Sequence, residues 1–266
     1  MRNRRLAIVV VAVGVALGLT GCGPEDSAKT PAGAAGTSTA AAPAAEQLDP
    51  AADLAAAGKK LVDQSMKFDL EMSGQMSMTG VTDPKARLSS ASTTLTALGA
   101  EKIEMRMVKN DLYLKLGSIS KMLGGSGGGA KAWMHVDATK LSEGSNFNLS
   151  PNGDDPAGTQ AMMSALNNVE RVGDTGFKGT LDLTKSPRFK KSAAGLGDKL
   201  NRIPFTAKKD AEGRLIELTL DMSSLGAGAG KMKTTYHDFG TPVSVKAPPA
   251  SEVQEMPSQL TGILNA

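Results

Sequence analysis

"SMKFDLEMSGQMSMTG", residues 65 to 80, sets Met66, Phe68, Leu70, Met72, Met76 and Met78 on alternate positions, with Lys67, Asp69, Glu71, Ser73, Gln75 and Ser77 between them. Strict alternation is the signature of a strand with one buried face, because successive side chains point to opposite sides of a sheet. The run is long for a strand, whose usual length is about 5 to 6 residues. Gly74 breaks the row of side chains. It reads either as a bend in one long strand, residues 65 to 79, or as a simple bulge.

The same one-faced pattern recurs downstream. "EKIEMRM", residues 101 to 107, places Ile103, Met105 and Met107 on one side, and "KND" at 109 to 111 turns the chain into Leu112, Leu114 and Leu116. "AWMHVD", 132 to 137, sets Met134 and Val136 opposite Trp133 and His135. "IPFTAKK", 203 to 209, presents Ile203 and Phe205; after the turn "DAEG", "RLIELTLDM" presents Ile216, Leu218, Leu220 and Met222. A polar strand at 87 to 98, a turn in "GVTDPK" at 80 to 85 and a further strand at 231 to 239 complete a meander. Helices are expected at 51 to 63, at 118 to 123, over 156 to 169, within 187 to 200, and from about Ser251 onward. Taken together the fold class is α+β: a long curved antiparallel sheet with helices on its apolar face.

Upstream, Arg2, Arg4 and Arg5 precede the apolar run "LAIVVVAVGVALGL", which has 14 residues and ends at Leu19. That is short of the ~18 to 20 residues needed to span a bilayer, and small residues follow it. Residues 1 to 21 therefore read as a signal peptide. Leu19-Thr20-Gly21-Cys22 resembles the lipobox of bacterial lipoproteins, in which the cysteine carries a diacylglyceryl thioether. Cys22 is the one cysteine in the sequence, so no intramolecular disulfide competes for it. Acyl chains there would anchor the protein to the cell membrane on its extracytoplasmic face. Residues 22 to 50 are rich in Ala, Gly, Ser, Thr and Pro and read as a disordered linker, leaving 51 to 266 as one domain.

Net charge is +3, but residues 1 to 21 hold three arginines and no acid, so the remainder carries 27 basic and 27 acidic side chains. With aromatic residues at 3% and no basic stripe, nucleic-acid binding has neither an electrostatic nor a stacking argument. Catalytic motifs are equally poorly supplied. The glycine run at 124 to 130 matches G-x-S-x-G at Ser126, but a nucleophile elbow needs a strand before it and a helix after it, and here the order is reversed. "GAGAGKM" at 226 to 232 lacks the first glycine and the hydroxyl residue of a phosphate loop. His135 and His237 fall on the polar sides of their strands and read as solvated. The chain is accordingly not read as an enzyme, and no cofactor is expected.

Methionine is the compositional anomaly, at 14 residues against six Phe, two Tyr and one Trp. Thioethers are soft Cu(I) ligands, and Met76 with Met78 could face Met105 with Met107 across a sheet, which makes a copper-binding lipoprotein one alternative. A protein-interaction or sensor domain with a solid core is another. Methionine is also a deformable apolar filler suited to variable partners. Composition leaves an ordinary Met-rich core and a malleable cavity both open.

The order of parts, from the lipobox through the strand at 65 to 79, "WMHVDATKL" at 133 to 141, "IPFTAKKDAEGRLIELTLDM" at 203 to 222 and "YHDFGTPVSVKAPPASEV" at 236 to 253, resembles the LppX/LprAFG lipoproteins of actinobacteria, which are similar in fold to the LolA and LolB carriers. The resemblance implies a β half-barrel whose concave apolar face is covered by helices. It implies a cavity for acyl chains of membrane lipids or glycolipids, a role in envelope lipid transport, and possible dealings with a membrane transporter. Carried over by pattern, the cavity lining would be Phe68, Leu70, Met72, Met76, Met78, Ile103, Met105, Met107, Leu112, Leu114, Leu116, Met134, Val136, Ile203, Phe205, Leu218, Leu220 and Met222.

Overall fold

The alternating stretch is a hairpin, not one long strand. In the computed structural model, which describes residues 48–122, 131–141, 159–185, 197–226 and 229–264, β1 (Met66–Met72) reverses through Ser73, Gly74 and Gln75 into β2 (Met76–Asp83). Ser73 and Gly74 adopt positive φ, 39° and 71°, which a glycine tolerates at little cost. Gln75 N donates to the Met72 carbonyl across the turn. Met72 stands directly opposite Met76, so the loop holds an odd number of residues, and every even position keeps its face through the reversal. Alternation alone cannot distinguish this hairpin from a straight strand. The turn expected at 80 to 85 lies instead beyond Asp83, whose carboxylate accepts from Ala86 N.

The meander continues through β3 (Leu88–Leu95), β4 (Glu101–Val108), β5 (Asp111–Lys115) and β6 (Trp133–Asp137). A second meander comprises β7 (Leu166–Val172), β8 (Gly176–Leu181), β9 (Ile203–Lys209), β10 (Leu215–Asp221) and β11 (Lys231–His237). It joins the first where β11 pairs with β1, and the short β12 (Val253–Glu255) adds to β6 in parallel. The result is one open twelve-stranded mixed sheet in the order β12-β6-β5-β4-β3-β2-β1-β11-β10-β9-β8-β7. The chain thus starts at the centre, walks to one edge, re-enters at the other and walks back.

Among the described residues the helices are few and short: α1 (Pro50–Lys59), α2 (Ile119–Met122), α3 (Thr159–Ser164) and α4 (Ser258–Leu264), with 3-10 turns elsewhere. Asp49 caps α1 by accepting from Ala52 N, satisfying a free amide of the first turn. Two helix expectations change. The helix over 156 to 169 ends at Ser164, and Leu166 to Val169 belong to β7. The one expected within 187 to 200 falls for the most part outside the described residues, its last four, Gly197–Leu200, forming a 3-10 turn. The C-terminal segment forms a 3-10 turn and β12 before α4 begins. Residues 1 to 47, which include Cys22, and the glycine run with Ser126 lie outside the described residues. Among the described residues no helix is long and apolar enough to cross a membrane.

Two glycines inside strands are occupied from next door. Phe68 stands opposite Gly80, and a Cβ there would run into the Phe68 ring and the Ser90 carbonyl at 2.8 Å. Phe205 stands opposite Gly179 in the same way, with Cε1 2.8 Å from where a Cβ would be. In each case a phenyl ring covers the surface that the missing side chain leaves, a device that permits strong local twist while keeping the backbone dry.

Candidate functional site

Register carries the eighteen expected residues onto one face. Opposed positions in neighbouring strands share a side, and the ladders read Leu218–Thr234–Leu70–Met78–Thr93–Ile103 in one row. The next row is Tyr236–Phe68–Gly80–Ala91–Met105–Leu114–Met134. Ser89–Met107–Leu112–Val136 form another, as do Ile203 with Leu181 and Phe205 with Leu220. Leu116 and Met222, just past their strands, are buried in the clusters on the same face. In β10 a bulge between Leu215 and Glu217 turns Leu215 inward, and it is Leu215, fully buried, rather than Ile216 that fills the core.

Packing divides these residues. At the β7 to β10 end, α1 lies on β7, β9 and β10. There Ile203, Phe205, Leu218, Leu220 and Met222 form a closed cluster with Leu54, Leu61 and Phe177. At the other end Leu112, Leu114, Leu116, Met134 and Val136 close against Met256 and against Leu260 of α4. Met107 is likewise buried. A side chain at 0% exposure, such as Leu112, Leu114 or Ile203, has no surface turned to a space large enough for water. Eleven of the eighteen are buried in this structure. The remaining seven, Phe68, Leu70, Met72, Met76, Met78, Ile103 and Met105, are half-buried. Met72 leans on the first cluster, and Ile103 and Met105 on the second. Phe68, Leu70, Met76 and Met78 belong to neither. They form an apolar strip on β1 and β2, between the two filled ends.

The methionines stand differently from the copper expectation. Met105 and Met107 align across β3 with Gly80 and Thr82, not with Met76 and Met78. The methionines that do meet are Met232, Met72 and Met76, on three successive strands, in a row continued by Leu220 and Leu95.

A buried charge cluster stands at one corner of this face. Asp53 of α1, almost fully buried, accepts from Lys209 Nζ at 2.7 Å and from Arg171 Nη1 at 2.7 Å. Both cations lie over the ring of Phe177, at 5.3 Å for Arg171 and 5.7 Å for Lys209. Burial works to raise the Asp53 pKa, but the two cationic donors outweigh it and hold the carboxyl below its ordinary value. Arg171 also donates to the Leu48 carbonyl. This triad pins α1 to the sheet. Sequence patterning missed it because Arg171 sits in a strand whose first residues, up to Val169, read as a helix end, and Asp53 looks like an ordinary surface acid of a first turn.

The opposite face is polar. An open groove of about 360 Å³ is bordered by Lys67, Asp69, Ser92, Glu104, Arg106 and His237. Such mixed charge has no affinity for a hydrocarbon chain. His237 is half-exposed and reaches Asp69 at 2.9 Å. His135 is more enclosed than the solvated residue expected. Its Nε2 lies 2.8 Å from Asp111, and its Nδ1 lies 2.9 Å from Glu255. The cause is β12, whose placement beside β6 brings Glu255 opposite His135.

Partial burial disfavours the imidazolium of His135, but the hydrogen bonds and charges of Glu255 and Asp111 prevail and raise its pKa above 6.5. A raised folded-state pKa means that this contribution is complete below the unfolded value and is lost as pH climbs through the folded one. The thermal midpoint should therefore decline from about pH 6.5 upward. In His135→Gln, scanned by calorimetry over the same range, that portion of the slope should vanish.

No protein-family model matches the chain, and no curated protein matches it.

Proposed function

We propose that this protein is a membrane-anchored extracytoplasmic lipoprotein that binds the acyl chains of a lipid or glycolipid, in the service of lipid transport across the envelope. The observation that carries the reading is the apolar strip of Phe68, Leu70, Met76 and Met78, half-buried and, among the described residues, outside both closed clusters of the face. In this reading the sheet curves as a half-barrel, helices cover its concave side, and the acyl chain lies over β1 and β2. The resemblance of the chain to LppX/LprAFG lipoproteins supports it, and Cys22 would supply the anchor. A lipid-sized void held open is costly at about 24 cal/mol per Å³. A buried sixteen-carbon chain contributes roughly 12 kcal/mol gross at about 0.8 kcal/mol per CH₂, so occupancy is the stable condition. Unbranched methionines let the strip adapt when it is empty.

A displacement titration with a fluorescent acyl probe tests the reading against copper binding. The domain should begin at Glu46, the start of its compact unit, so that the Asp49 cap and the Leu48 carbonyl are kept. Leucine and methionine are close in volume, so Met76→Leu with Met78→Leu should leave probe affinity within about threefold. Loss of a stoichiometric Cu(I) complex in the same double variant would favour copper instead.

A further inference from the structure

Three hydroxyl groups interrupt the apolar face beside the strip. Thr234 and Thr93 bracket Leu70 and Met78 in a single row, Thr234 on β11 and Thr93 on β3, and their exposures are 8% and 9%. Tyr236, two residues beyond Thr234 on the same side of β11, stands opposite Phe68. None of the three side chains has a hydrogen-bond partner among the described residues, whereas the nearby Ser89 hydroxyl donates to the Val81 carbonyl. A buried hydroxyl left unpaired costs about 1 to 3 kcal/mol, so three on one face is a feature that a ligand would relieve. Tyr236 is half-buried as a residue, and desolvation of its phenol pushes the pKa up to about 12, so the hydroxyl keeps its proton and remains a donor.

The charge of the complementary group follows from what surrounds it. On the apolar face of the described sheet the cations are Arg171 and Lys209, and both are committed to Asp53. A carboxylate placed beside Tyr236 would be desolvated without a counter-charge, which is far more costly than burying a carbonyl that accepts a hydrogen bond.

We infer that Tyr236 and Thr234 form a polar anchor that donates hydrogen bonds to an uncharged carbonyl of the bound lipid, so that the site takes acyl esters in preference to ionised fatty acids. The inference rests on the acyl-binding reading. It adds which end of the ligand is held, and where: the ester lies at β11 and the hydrocarbon runs over Phe68, Leu70 and Met78. Thr93, about 14 Å away at three strand spacings, would meet a second polar group of the same molecule.

The test uses the full chain with Cys22→Ala, purified without detergent, and three probes: a pyrene-labelled hydrocarbon, monopalmitoylglycerol and palmitate at pH 8. The unaltered chain should bind monopalmitoylglycerol at least tenfold more tightly than palmitate. Tyr236→Phe and Thr234→Val, which keep shape and remove one oxygen-borne donor each, should each weaken monopalmitoylglycerol about two- to tenfold and leave the hydrocarbon probe unchanged. Both variants should also raise the thermal midpoint of the lipid-free protein, because each deletes an unpaired buried hydroxyl. A drop in affinity without that rise would point to damaged packing and overturn the anchor. Unchanged ester affinity in both variants, or palmitate bound as well as the ester, would also overturn it. Failure of the unaltered chain to bind even the hydrocarbon probe would instead remove the acyl-binding reading beneath it.

Discussion

Asp53→Ala should destabilise the domain by about 3 kcal/mol, because it leaves Lys209 and Arg171 partly buried without their shared counter-ion. Each cation retains roughly a fifth of its side-chain surface, at 19% and 20%, so some charge can turn to solvent, and the lower end of the usual range applies. Against the ~5 to 15 kcal/mol of a typical domain this is a large fraction. Equilibrium urea unfolding measures it directly. The triple change Asp53→Leu, Arg171→Leu and Lys209→Met should recover most of the loss, since a packed apolar replacement of a buried ion cluster is often neutral or better. The pH dependence has the opposite sign to that of His135: a depressed carboxyl pKa gives stability that is present above the unfolded value of 3.8 and lost as pH falls below it.

Leu70→Asp and Met78→Asp should each abolish acyl-probe binding, with a loss of at least about 100-fold, while the domain remains folded. A carboxylate on the strip must be desolvated for a hydrocarbon chain to lie over it, and even a discounted penalty of about 3 kcal/mol corresponds to more than two decades of affinity. Both positions are half-buried and outside the two closed clusters, so the unfolding midpoint should shift far less than for Asp at Leu114 or Ile203, which are fully buried. The comparison to make is Lys67→Asp, on the polar face of the same strand. It should leave probe binding as it is.

Much of this was legible in the residues, and the gaps have physical causes. One-faced alternation fixed which side chains share a surface, since the period of two survives every antiparallel pairing and even the odd-length turn at Ser73 to Gln75. That same invariance hid the hairpin. β7 was missed because apolar residues at 161, 162, 165, 166 and 169 satisfy a helical period, and the bulge near Asn168, whose φ is 49°, breaks the strand period where it would have competed. β12 is three residues long and paired in parallel, and nothing in "VQE" announces an edge strand. Site and core were indistinguishable by pattern: Leu112 and Leu70 alternate alike, and among the described residues the placement of α1 and α4 separates the closed ends from the half-buried strip. The hydroxyls of Thr234 and Thr93, unpaired among the described residues, read as ordinary β-formers until register put them on the apolar side.

Native mass spectrometry of the domain from Glu46 to Ala266, purified from a lipid-containing host without detergent and followed by organic extraction, tests the central claim most directly. The account predicts a stoichiometric adduct of lipid mass, released by solvent and diminished in Met78→Asp. A bare protein mass before and after incubation with lipid vesicles, together with a blank extract, would contradict it.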